Sequence, residues 1–103
     1  MSIHSHIDTL KNSVPLNQSQ ADSFLASLSE KEQEQIIAAI YIGRDHLHDQ
    51  ELASGYKMDR KIIDHISKAE YGRIIAEKNT AVKRYLDALT RCAGASGFDL
   101  DKL

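Results

Sequence analysis

Seven consecutive apolar residues, Ile36-Ile37-Ala38-Ala39-Ile40-Tyr41-Ile42, follow closely on a helix start signal. Ser29-Glu30-Lys31-Glu32 has the form of a capping box. Its serine hydroxyl accepts from a first-turn backbone N–H, and the Glu32 carboxylate reaches back to the serine N–H. Glu30, Glu32 and Glu34 then place negative charge where the helix dipole favours it. A helix that is apolar nearly all round has no face to turn to water, so this one is predicted to be the buried centre of the fold. Gly43 reads as its stop or as a kink.

Other segments supply neighbours for that helix. Ile3, Ile7, Leu10 and Val14 recur at steps of four, three and four, a single helical stripe, and Val14-Pro15 ends it because the residue before proline avoids the α region. Asn17 or Ser19 is placed to cap a short helix with Ala21, Phe24, Leu25 and Leu28 on one face. A fourth helix is predicted to open at Met58 or Asp59 and to carry Ile62, Ile63, Ile66 and Ala69. A break near Gly72 or near Asn79-Thr80 separates it from a last helix that aligns Val82, Tyr85, Leu86, Leu89 and Cys92. Ala93-Gly94-Ala95-Ser96-Gly97 closes that helix, and Phe98–Leu103 reads as a tail whose apolar residues fold back.

No segment alternates with period two, and no Asn-Gly or Asp-Gly hairpin turn occurs. The expected fold class is therefore all-α, a compact bundle or orthogonal array of about five helices. At 103 residues the chain is read as a single helical domain. Residues 1–14 form an N-terminal helix that either covers the core or projects as an arm, 17–93 form the core and 94–103 the tail. A hydrophobic share of 42% with one proline excludes a disordered tail or a collagen-like repeat. The single cysteine excludes an intrachain disulfide. No signal peptide is read at the start, and seven apolar residues fall far short of the ~20 that span a bilayer. The expected setting is cytoplasmic, with no membrane partner.

Chemistry concentrates in Arg44-Asp45-His46-Leu47-His48-Asp49-Gln50-Glu51. Were this stretch helical, Asp45, His48 and Asp49 would share a face and could converge on a zinc or iron ion, so these three are the metal candidates. The spacing matches no established metal signature, and the alternative is a solvated connector held by local hydrogen bonds. His4 and His6, two apart, do not share a helix face and read as a frayed end. Arg44 has two readings: a bond to the last carbonyls of the central helix, or capture of an anion or a partner carboxylate. Cys92, on an apolar stripe, reads as a small buried hydrophobe. No nucleophile elbow or phosphate-cradling loop is present. No enzymatic activity and no cofactor are expected.

The formal net charge is −2, but the balance runs from −3 over residues 1–35 through zero over 36–68 to +1 over 69–103. Later basic residues interleave with acids at i,i+4: Arg60 with Asp64, Asp64 with Lys68, Arg73 with Glu77, Lys83 with Asp87, Asp87 with Arg91. Such ladders are solvated helix faces, not the uncompensated stripe that phosphate binding needs. Nucleic-acid binding is therefore disfavoured, and Lys57, Arg60 and Lys61 are its only candidate residues.

The stretch Leu28–Glu32 followed by Ile36–Asp45 resembles a small bacterial family of helical domains of unknown function (domain of unknown function 3775). The shared feature is an apolar helix with an aromatic, ending in Gly-Arg-Gly-Asp; here the end runs Gly43-Arg44-Asp45-His46. Tyr85-Leu86 is similar to the family's closing helix, and the likeness spans about residues 25–92. It implies a helical fold and a bacterial or phage origin, and no activity. The function expected from the sequence is non-enzymatic protein–protein interaction, as a regulator or inhibitor of a larger complex, or self-association as a homodimer. Ile3, Ile7, Leu10, Val14 and Arg44 are the candidate contact residues. The alternatives are a metal- or anion-binding domain built on 44–51 and a nucleic-acid-associated regulator.

Overall fold

Helix boundaries in this protein are set at the caps. In the computed structural model, which describes residues 3–48 and 66–103, α1 spans Ile3–Ser13, α2 Gln18–Ala26 and α3 Glu30–Asp45, followed by α4 over Tyr71–Lys78 and α5 over Ala81–Ser96. Short 3-10 turns cover Lys68–Glu70 and Leu100–Lys102. No strand occurs among the described residues. The fold is an all-α bundle, as the patterning predicts.

Asn17 caps α2 through a full capping box: its side chain accepts from Gln20 N–H at 2.8 Å, and its own N–H donates to the Gln20 side chain at 3.0 Å. Ser29 does the same for α3, accepting from the Glu32 N–H at 3.2 Å while its own N–H donates to Glu32 Oε1 at 2.9 Å. Gln33, one turn into α3, donates to the carbonyls of Leu25 at 2.9 Å and Leu28 at 3.3 Å, tying α3 to the end of α2 and the turn that follows it. Asn79, at φ 55°, separates α4 from α5, and Gly97, at φ 70°, ends α5 in the left-handed region that glycine enters without strain.

The core sits between α3 and α5, the most extensive helix contact, with α2 against α4 as the second. Ile36, Ile37, Ala38, Ala39 and Ile40 are fully buried, as expected of an all-round apolar helix, and Val82, Leu86, Leu89 and Cys92 face them from α5. The chain end folds back: Leu100 and Leu103 are buried, and Gln35 donates from α3 to the Asp101 carbonyl at 3.1 Å.

Three glycines behave differently from the sequence reading. Gly43 does not stop α3, which continues to Asp45 with His46 as its C-cap. A Cβ at Gly43 would collide with the backbone carbonyl of Tyr85, so glycine is required by close helix approach. Gly72 is no break either; it lies inside α4 where a Cβ would strike the Asp22 carboxylate of α2. Gly94 lies within α5, with nothing within 4 Å of its would-be Cβ. The predicted fourth helix meets the described residues only at Ile66 and Ala69. Ile66 packs against the core, whereas Ala69 falls in the 3-10 turn before α4 and is exposed.

Candidate functional site

The close approach at Gly43 places the side chains around it. With α3 pressed onto the Tyr85 carbonyl, Tyr41 of α3 and Tyr85 of α5 lie half-buried at one end of the seam, and Lys78, in the last turn of α4, reaches over both. The Lys78 ammonium stands 4.9 Å from the Tyr41 ring centre and 5.8 Å from that of Tyr85. The Arg44 guanidinium stands 5.5 Å from the Tyr41 ring centre. All three separations fall within the ~6 Å over which a ring quadrupole attracts a cation.

Beside this cluster opens a cleft of about 270 Å³, lined by Tyr41, Ile66 and Ile74 with the charged residues Glu70, Arg73, Glu77 and Lys78. Arg73 is held by Glu70 and Glu77, each at 2.9 Å, which raises its pKa further and fixes it as a structural cation. Lys78 differs. Partial burial lowers its pKa, the positive charge of Arg44 lowers it again, and Glu77 acts weakly in the opposite sense. Among the described residues no carboxylate lies within ion-pair distance of Arg44 or Lys78. The cleft thus combines aromatic and aliphatic walls with a rim of ion-paired Glu70, Arg73 and Glu77, and Lys78 links it to Arg44, which lies outside the lining on the far side of the Tyr41 contact.

Other candidates fare as follows. Ile3, Ile7 and Leu10 are buried against α3, α5 and the C-terminal turn, with Val14 partly buried beside them. Of the two readings of this helix, cover for the core or projecting arm, the structure takes the first: the stripe closes this chain's own core against α3 and α5. Asp45 and His48 are exposed, but α3 ends at Asp45 and residues 46–48 form a turn, so the helical register that would align them does not exist. Among the described residues no group of three His, Cys, Asp or Glu side chains is placed to hold a metal. Asp49, Lys57, Arg60 and Lys61 lie outside the described residues. Arg44 does not bond the helix-end carbonyls; it stacks back on Tyr41. Cys92 is fully buried, as expected.

His6 is the residue the sequence reading misses. It is buried, with Nε2 2.6 Å from Glu32 Oε2, so the glutamate that caps α3 also ties α1 to it. The Ser29 N–H, with His6 next in effect, holds the Glu32 carboxyl down at about 2. A signal was present: His6 falls three residues after Ile3 and four before Leu10, on the apolar stripe itself. Of the expected ladders, Arg73–Glu77 and Lys83–Asp87 form, each at 2.9 Å. Asp87 turns also to Lys11 of α1, at 2.8 Å, and Arg91 donates to the Leu47 carbonyl at 3.1 Å.

Comparison with known proteins adds no relative: no family model, curated protein or solved structure matches the chain. No helix among the described residues is long and apolar enough to cross a membrane.

Proposed function

We infer that this chain is a non-enzymatic helical protein that acts by binding another protein, as a cytoplasmic regulator or inhibitor of a larger bacterial or phage complex. One observation supports the reading above the others: Tyr41, Arg44, Lys78 and Tyr85 gather at the surface from three helices, beside a cleft with an ion-paired rim. Tyrosine and arginine dominate binding hot spots because they bring large contact area and directional bonds at little entropic cost. A cleft of about 270 Å³ falls below the ~300–1,000 Å³ usual for small-molecule sites and suits one or two side chains of a partner.

The contact surface in this reading is the α3–α4–α5 end and not the α1 stripe. Affinity capture from a bacterial extract, followed by titration of the purified partner against the purified chain, tests it. A one-to-one complex at micromolar affinity or better is expected. No saturable complex between the purified components, or turnover of a small molecule by the chain alone, contradicts the reading.

A further inference from the structure

We propose that the cleft beside Arg44 and Lys78 is a carboxylate-recognition site, and that its occupant is a segment of the partner protein that presents a single glutamate or aspartate next to an apolar residue. The proposal rests on the interaction reading above and adds the chemistry of the partner.

Charge layout carries the argument. Several cations of the described residues are ion-paired, Arg73 with Glu70 and Glu77, Lys83 and Lys11 with Asp87, Lys68 with Glu30 at 3.1 Å, whereas Lys31 and Arg84 stand separately on exposed helix faces with no aromatic ring beneath them. Arg44 and Lys78 instead lie against aromatic rings, converging on Tyr41 from two helices. Two cations against one ring gain cation–π energy but repel each other, and a carboxylate binding beside them offsets that repulsion. The arginine fork supplies directed donors to such a carboxylate, and the lysine supplies a point charge. Ile66, Ile74 and the Tyr41 ring give an apolar neighbour of that carboxylate somewhere to pack. A metal cation is repelled by this site. A continuous phosphate backbone meets Glu70 and Glu77 on the rim as soon as it leaves the two cations. An isolated acidic side chain on a protein meets neither obstacle.

The same site explains why Tyr41, Gly43 and Arg44 sit in one turn of sequence. Gly43 lets α5 approach, and Tyr41, two residues before it, and Arg44, immediately after it, form one half of the clamp.

The test is a nuclear magnetic resonance titration of the full chain with an acetylated, amidated Glu-Leu repeat hexapeptide, with a Lys-Leu hexapeptide, inorganic phosphate and a short DNA duplex as separate arms. Shifts at the Tyr41 and Tyr85 rings with the acidic peptide alone support the proposal, as does at least a tenfold weakening in Arg44→Gln/Lys78→Gln. The exposed single variant Arg44→Gln keeps the test open if the double variant loses its fold, and is expected to weaken binding several-fold. Equal response to phosphate or DNA, shifts elsewhere on the surface, or binding unchanged in both variants overturns it. A purified partner that binds wild-type chain and Arg44→Gln/Lys78→Gln equally overturns this site while leaving the interaction reading intact. A chain that forms no purified complex, yet binds the acidic peptide at this cleft, does the reverse.

Discussion

Two glycines bring helices together in this protein, and they do so against different things. At Gly43, α3 meets the backbone carbonyl of Tyr85; at Gly72, α4 meets the carboxylate of Asp22. A backbone carbonyl inside a helix is fixed by its neighbours, whereas an exposed aspartate is the free end of a rotatable side chain. The α3–α5 seam therefore has no room for a side chain at Gly43, and the α2–α4 seam can yield at Asp22. The rigid seam is also the one that carries Tyr41, Arg44 and Tyr85. Function, on this account, is built where the packing cannot adjust.

Substitution separates the two seams. Gly43→Ala forces α3 and α5 apart in a close-packed core, and a loss of about 3 kcal/mol is expected from overpacking against backbone. In a domain of this size that lowers the melting temperature by roughly 12–24 °C, read by calorimetry. Should Gly43→Ala melt like the parent, the rigid seam does not exist. Next in size is Ser29→Ala, which removes the α3 cap and costs about 1 kcal/mol by urea denaturation. Gly94→Ala, in open space within α5, is expected to raise stability by about 0.5–1 kcal/mol through helix propensity. Gly72→Ala is the smallest: the propensity gain and the displacement of Asp22 nearly cancel, leaving a change within about 0.5 kcal/mol. The Asp22→Ala/Gly72→Ala pair then exceeds wild type, which sharpens the contrast with Gly43.

A third contact, α1 on α3, is polar at its centre and answers to pH where the seams do not. The Glu32 carboxyl is held below its ordinary value, at about 2, so its contribution is complete above the unfolded value near 4.5 and is lost as pH falls from there toward 2. Asp87, lowered chiefly by Lys11, acts in the same direction. Acid unfolding of Glu32→Gln is expected to show a shallower dependence on pH in that window. An unchanged slope contradicts the His6–Glu32–Ser29 arrangement.

Much of the fold was legible because caps and apolar periodicity act locally. Ser29 with Glu32, Asn17, the Ile36–Ile42 run and the Val82–Cys92 stripe all sit where the sequence places them. Glycine was misread for a physical reason. Its local meaning is flexibility, and at Gly43 and Gly72 the reason for it lies on another helix, more than forty residues away in sequence. The candidate site was legible only in part for the same reason. Arg44 stood out as a cation after a buried helix, but nothing local shows that Lys78 and Tyr85 converge on Tyr41. His6 was missed because a histidine among polar residues looks solvated until its position on the apolar stripe is weighed.

The geometry of Lys78 bears most directly on this account, since the clamp exists only if that side chain lies over both rings. Two-dimensional nuclear magnetic resonance of the free chain reads it without a partner. Cross-peaks from the Lys78 ε-protons to the ring protons of both Tyr41 and Tyr85, with those ε-protons shifted upfield by the ring currents, are predicted. Lys78 ε-protons at the chemical shift of a solvated lysine, with no cross-peak to either ring, would contradict it.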